Sequence, residues 1–239
     1  MQLVEPSIDG WSTVINVHGA AGHSGWQQLC PGFARRGPWE AVEAARLPPG
    51  GVSGIHRHSR TNEIYFILAG AGILTLDDQE LPVRARHLAV TGIGGTHGLR
   101  NTADGELTWL VVEAPAPASA LRKDQAGKPG GTMVHSFGPF DMAQTEQVDF
   151  AHYDVSPLAA AGLTRLEPGQ SIELAADDRE LFSYLLTGSA MLRCNGAEYP
   201  IESDTGFTMT LAEHATLTAR QSCELFWLAC SLQQYEEAP

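Results

Sequence analysis

The chain has 239 residues, an ordinary hydrophobic content of 43% and four cysteines, which bounds it to one large or two small globular domains. A net charge of −13 with no basic block argues against nucleic acid or an anionic membrane as a partner. No apolar run reaches transmembrane length and the N-terminus lacks a signal-peptide pattern, while Cys30, Cys194, Cys223 and Cys230 have no Cys-x-x-Cys spacing, so the expectation is a cytoplasmic protein with cysteines as small core residues.

Short alternating apolar runs open the chain at 12–17, 25–29 and 39–45, punctuated by glycines. They read as strands rather than helices. The segment 41–45 has helical propensity, but its place ahead of a strand-rich region favours a strand. His18 and His23 have no partner at useful spacing and are set aside as ligands. Arg35 and Arg36 read as a solvated pair rather than an anion site.

The stretch from Gly50 to Gly70 organises the rest of the chain. His56 and His58 stand two apart, so on a strand they point the same way. Gly50, Gly51 and Gly54 let the backbone bend just before them. Glu63 opens the run Glu-Ile-Tyr-Phe-Ile-Leu, rich in β-formers; Tyr65 and Ile67 share its face, and Ile64 and Phe66 take the other. His97 must come from a third strand, with Asn101 four residues on. Three imidazoles and one carboxylate suit a divalent transition metal and exclude a dedicated calcium site. Four protein ligands leave two positions on an octahedral ion, whereas a tetrahedral zinc would be closed by the same set.

Between these landmarks, Ala71–Leu76, the acidic turn Asp77-Asp78 and Gln79–Val83 read as a hairpin. The apolar run 107–112 fits a strand buried on both faces.

The spacing Gly50-x5-His56-x-His58-x4-Glu63-x6-Gly70 resembles the first motif of the cupin superfamily, and Gly94-x2-His97-x3-Asn101 resembles the second. Where the family has Gly-Asp and a proline before the glycine, this chain has Arg86-His87 and Gly92, a departure that affects a turn and not the ligand set. The resemblance implies an all-β fold of double-stranded β-helix, or jelly-roll, barrels. It implies His56, His58, Glu63 and His97 as metal ligands, with Fe2+ or Mn2+ foremost and Zn2+, Ni2+ or Cu2+ as the other candidates.

Residues 114–131 shift to an Ala/Pro-rich and then Gly/Lys-rich composition, which marks a linker. Beyond it the first half returns: Arg46-Leu-Pro-Pro-Gly50 as Arg165-Leu-Glu-Pro-Gly169, Asp77-Asp78 as Asn195-Gly196, Pro82 as Pro200, His97 as His214 and Trp109 as Phe226. Such a period implies two tandem cupin-type barrels: an N-terminal barrel over 1–118, a linker over 119–131 and a C-terminal barrel over 132–239. Phe137, Phe140, Phe150 and Tyr153 are expected on the first strands of the second unit. There, Ala175 and Asp177 stand at the histidine positions and Phe182 or Leu181 at the glutamate position. Only His214 persists, with Asp177, Asp178 and Glu180 expected to face solvent, so the second barrel is expected to be degenerate. Its expected role is to cover an open face of the first, as a subunit would; a homodimer is also compatible.

The site suits three function classes. The first is an O2-dependent oxidoreductase of the dioxygenase type, with Glu63 as base and Tyr65 as proton donor or substrate guide. The second is a non-redox isomerase, cyclase or lyase using the same ligands. The third is a small-molecule-binding cupin without catalysis. The reading adopted is a metal-dependent enzyme acting on a small organic molecule, leaning to oxygenase.

Overall fold

The computed structural model describes residues 2–4, 10–29, 38–118, 120–121 and 135–231. Cys30, Arg35, Arg36 and most of the linker lie outside the described residues. The first half contains strands β1 (Gln2–Val4), β2 (Ser12–Ile15), β3 (His23–Gln28), β4 (Ala41–Leu47), β5 (Val52–Arg57) and β6 (Thr61–Ala69). It continues with β7 (Ala71–Leu76), β8 (Gln79–Arg84), β9 (His87–Thr91), β10 (Thr96–Asn101) and β11 (Leu107–Pro115). The second half contains β12 (Ser136–Asp141), helix α1 (Met142–Thr145), β13 (Gln147–Asp149), β14 (Leu158–Leu166), β15 (Ser171–Ala176) and β16 (Arg179–Thr187). It closes with β17 (Ser189–Cys194), β18 (Ala197–Glu202), β19 (Thr205–Met209), β20 (Glu213–Ala219) and β21 (Cys223–Ser231).

Each half folds as a barrel of two sheets. The first pairs a seven-stranded sheet, β12-β9-β6-β11-β4-β3-β2, with a four-stranded one, β5-β10-β7-β8. The second pairs a six-stranded sheet, β1-β19-β16-β21-β14-β13, with a four-stranded one, β15-β20-β17-β18. The acidic turn at Asp77 and the Asn195-Gly196 turn both close hairpins, with Asp77, Asn195 and Gly196 at positive φ, as tight hairpin turns require. The 41–45 segment is a strand, paired with β11 and β3.

The two halves exchange strands. Residues 2–4 pair with β19 of the second barrel, and β12 pairs with β9 of the first. Phe137 and Phe140 therefore lie on the first barrel's large sheet and not at the start of the second, a correction to the sequence reading. Periodicity reveals a strand's faces but not which distant strand it will pair with.

This arrangement creates three apolar cores. One fills the first barrel, with Leu47, Tyr65, Ile67, Leu74, Leu99 and Trp109 among its residues. Another fills the second, with Leu185, Leu192, Phe207, Met209, Leu217 and Leu225. The third joins residues of both halves: Ile64, Phe66, Val90 and Leu110 pack against Leu163, Phe182, Phe226 and Leu228. The second barrel thus covers the outer face of the first barrel's large sheet. Phe66 and Phe226 stack across the junction, ring centroids 4.1 Å apart and planes 20° from parallel. At its edge Glu224 accepts from Arg86 at 2.7 Å and from Arg165 at 2.9 Å. No helix among the described residues is long and apolar enough to cross a membrane.

Truncating a buried phenylalanine costs about 3–5 kcal/mol through lost transfer energy and the cavity left behind. Phe226→Ala should therefore destabilise the first barrel together with the second, lowering the denaturant midpoint of both in a single transition. Intrinsic tryptophan fluorescence, to which both halves contribute, measures it against the unaltered chain.

Candidate metal centre

Strand β6 is buried along most of its length, because its large sheet is covered on both sides. Alternation then assigns its residues: Glu63, Tyr65 and Ile67 point into the barrel, while Ile64 and Phe66 face the second barrel. This is the division expected from sequence.

Across the barrel, His97 on β10 pairs directly with His56 on β5. The register then slips, with Leu99 opposite Ser53. Gly54 and Ile55 thus face only Gly98, a β-bulge that re-aims the strand just before the histidines. Gly54 is required there: a Cβ would come within 2.2 Å of the His18 carbonyl oxygen.

His56, His58, Glu63 and His97 bring one ligand atom each to within 4.8 Å of one another. The His58 Nε2 lies 2.8 Å from Glu63 Oε2 and 3.1 Å from His97 Nε2. His97 Nε2 lies 3.1 Å from His56 Nε2 and 3.5 Å from Glu63 Oε2. The opposite ring nitrogens are tied back. His56 Nδ1 donates to the Gly54 carbonyl at 3.0 Å, and His58 Nδ1 to the Thr61 carbonyl at 3.1 Å. His97 Nδ1 meets the Thr91 hydroxyl at 2.9 Å. A carbonyl can only accept, so the proton of His56 and of His58 sits on Nδ1 and each Nε2 presents a lone pair. Lone pairs and a carboxylate converging at such distances call for a cation between them. A single proton bridges one contact; a divalent ion serves all four donors, and tied-back second nitrogens are how metal-ligating imidazoles are oriented. The residues present fit a transition-metal ion.

Electrostatics at the cluster are governed by burial. Burial raises the Glu63 carboxyl to about 7, with the His58 hydrogen bond and charge pulling the other way. Burial lowers His56 to about 4 against the Gly54 hydrogen bond, and holds His97 well below the ordinary imidazole range. His58 is the exception: burial lowers it, but the Glu63 hydrogen bond and charge outweigh burial and the net shift is upward. His56 and His97 therefore favour their neutral form, which is the form an imidazole must have to bind a metal, whereas Glu63 must give up its proton to do so.

The cluster opens on a cavity of about 690 Å³ whose lining includes His18, Trp26, Glu43, His56, Glu63 and Glu113. Tyr65 does not reach that cavity. It is 2% exposed, its ring lies against His97 with centroids 4.4 Å apart, and burial pushes its hydroxyl well above the ordinary value. Asn101 lies apart from the donors and ties loops together, donating to the carbonyls of Leu47, Pro48 and Gly105. Sequence spacing missed His18, whose ring stacks on His56. Glu43 and Glu113 were missed as well, although both stand at inward positions of apolar strands, a signal available in the pattern.

In the second barrel, the ladder between β15 and β20 is regular, with no bulge. The positions facing inward are Leu174, Ala176, Leu181 and Ala215, all part of or packed on that barrel's core. Each stands at the same sequence offset from His56, His58, Glu63 and His97. This corrects the expected match to Ala175, Asp177 and His214. His214 points outward beside Asp177 at 3.3 Å, both mostly exposed. Glu180, expected in solvent, is 6% exposed, and burial pushes its carboxyl up to about 7 against a hydrogen bond from Trp39.

Comparison with known proteins agrees with this architecture. A family model described as "Cupin domain" matches residues 44–113. An oxalate-binding protein of Thermotoga maritima is 29% identical over 99 residues, 41% of this chain and 82% of that protein. The oxalate decarboxylase of Bacillus subtilis, as a variant, superposes with a TM-score of 0.65 at 14% identity, over 98% of this chain and 80% of that one. A variant of the salicylate 1,2-dioxygenase of Pseudoaminobacter salicylatoxidans gives a TM-score of 0.62 at 17% identity, over 86% and 76%. Structural likenesses at identities this low carry the fold alone.

With one complete donor set among the described residues, the purified chain should hold one divalent ion, not two, by elemental analysis. His58→Ala should lose it. Thr91→Val, which removes only the group behind His97, should keep the fold and weaken metal affinity about 10- to 100-fold.

Proposed function

We infer that this chain, a member of the cupin superfamily with two tandem barrels, is a metal-dependent enzyme acting on a small organic molecule, with O2-dependent oxidoreduction as its reaction class. The observation that carries this reading is the convergence of three imidazole nitrogens and one carboxylate at the wall of an open cavity. A buried structural ion would not need that access. When bound, the ion supplies Lewis acidity and, as Fe2+ or Mn2+, one-electron chemistry with O2. The four donors and their carbonyl and hydroxyl anchors belong to rigid strands, which keeps them preorganised.

Glu63 combines two capacities in this reading. Its carboxylate oxygen sits among the imidazoles, and the residue also lines the cavity, where a carboxylate is placed to take a proton from a bound substrate. Tyr65 acts through His97: its ring fixes the plane of that imidazole from behind, and its high hydroxyl pKa keeps it a hydrogen-bond donor within the barrel.

The substrate class is argued from the wall. Glu113 stands directly opposite Glu63 in the ladder, and Glu43 lies on the next strand. Burial and the neighbouring Glu113 raise the Glu43 carboxyl, so the two acids feel each other. Arg57 and Arg60 lie toward the rim, with Arg60 paired to Glu40. The Thermotoga relative is named for oxalate, a small dianion. Such a dianion would gain from a metal ion and lose to Glu43 and Glu113. A chelating acid or phenol with a neutral or cationic remainder suits this cavity better.

A second reading, non-redox isomerisation or cyclisation, is favoured by one observation: Glu63 lines the cavity as well as joining the donor set, which places a carboxylate for proton transfer next to a carbonyl polarised by a metal. O2 separates the two. The Fe2+- or Mn2+-loaded chain, offered chelating carboxylic acids and phenols with and without an amino group, should consume O2 in step with substrate loss. Turnover that continues unchanged in an anaerobic chamber would replace the oxygenase reading with the second. Glu63→Gln should lower either activity by about two orders of magnitude or more.

A further inference from the structure

We propose that His18 is a positioning residue for His56, and that the turn carrying it clamps the solvent side of the metal site. The proposal rests on the reading of His56, His58, Glu63 and His97 as metal ligands.

Among the four, His56 is the one only partly buried. Its Nδ1 is held by the Gly54 carbonyl, but one hydrogen bond in the ring plane does not stop the ring from rocking about that axis. A flat partner on its face does. His18 is that partner, with ring centroids 3.5 Å apart and planes 11° from parallel.

The local chain is built to deliver this ring. Strand β2 ends at Ile15, and Val17–Gly19 form a single 3-10 turn. Three backbone hydrogen bonds close it: Asn16 to the Gly22 carbonyl at 2.9 Å, Gly19 to Asn16 at 3.0 Å and Ala20 to Val17 at 3.1 Å. Val17 is buried within it and lines the cavity. Asn16 and His18 both adopt left-handed backbone, φ 54° and 51°, a conformation that L side chains rarely take. Strain of this kind persists where the surroundings enforce it, and it concentrates at functional sites. The enforcing contact is visible. The His18 carbonyl sits so close to Gly54 that no side chain fits there, and Gly54 is the residue whose own carbonyl anchors His56. One bulge therefore holds both the ligand and its clamp.

The stack limits the rotation of His56, so the donor set keeps one geometry when the cavity is open to water. The turn also shapes the entrance. Val14 and Ile15, 39% and 73% exposed, run from it along the cavity's edge, so the clamp is part of the lip that a substrate passes.

Cobalt(II) tests this in the full chain, because its visible absorption bands report ligand geometry independently of activity. His18→Asn keeps a residue tolerant of left-handed backbone and removes the ring; His18→Phe restores a flat face without a nitrogen. The His18→Asn protein should show shifted cobalt bands and about tenfold weaker Co2+ binding in a competition titration, at an unchanged unfolding midpoint. The His18→Phe protein should return both toward the unaltered chain. If the unaltered chain binds Co2+ and His18→Asn matches it in spectrum and affinity, the clamp is overturned and the metal reading stands. A spectrum shifted equally in both variants also overturns the stack. Failure of the unaltered chain to take up Co2+ overturns the metal reading, and the clamp with it.

Discussion

The packing of one large sheet against another, through Ile64, Phe66, Val90 and Leu110 on one side and Phe182, Phe226 and Leu228 on the other, is the contact on which the site depends. A strand on an open sheet has one dry face and can slip by a residue only at the cost of reversing it. Strand β6 has two dry faces, and each carries a different demand. The even positions must be apolar to meet the second barrel. The odd positions hold Glu63 at the mouth and Tyr65 and Ile67 below it. A slip of one residue would place a carboxylate in the inter-barrel core and a phenylalanine among the histidines. Both errors are costly, because a buried charge without a partner is among the least tolerated features of a protein interior. The second barrel, which has aliphatic residues in place of every donor, thus fixes the register of a strand that carries one.

Within the first barrel, backbone carbonyls do the equivalent work on the imidazoles. The Gly54 and Thr61 oxygens accept from Nδ1 of His56 and His58, and this selects the tautomer. Their two lone pairs and the Glu63 carboxylate then converge with His97 Nε2, an arrangement that one divalent cation serves together. The depressed proton affinities of His56 and His97 arise from the same burial, which keeps these two imidazoles neutral and able to ligate.

Much of this was legible in the sequence, and the reasons are specific. Period-two alternation divides β6 into its two faces without any knowledge of the fold. Glycine at 50 and 54 marks backbone free to bend ahead of the histidines; Gly50 has positive φ, and Gly54 sits in the bulge where the His18 carbonyl leaves no room for a side chain. The turn at Asn195-Gly196 is fixed by local chemistry. What stayed hidden was set by partners distant along the chain. The exchange of β12 into the first barrel depends on which sheet edge is free. The position of His18 depends on a turn that folds back onto β5, and no spacing rule links residue 18 to residue 56.

The mismatch in the second barrel has two sources, a bulge and a coincidence of residue type. In the first barrel the bulge at Gly54 and Ile55 adds one residue between Ser53 and His56, so both point inward although they are three apart. Strand β15 has no such insertion, and its inward set runs unbroken through Ile172, Leu174 and Ala176. Matching histidine to its nearest identical neighbour separately paired His97 with His214, which faces solvent on a strand whose inward neighbour is Ala215. Matching by inward direction instead pairs the four donors with Leu174, Ala176, Leu181 and Ala215. On that alignment, the second barrel is not a site that lost its metal while keeping a hollow. Aliphatic side chains occupy the place of the donors and join the barrel's own core, and a barrel filled in this manner is a firmer support for the sheet it covers.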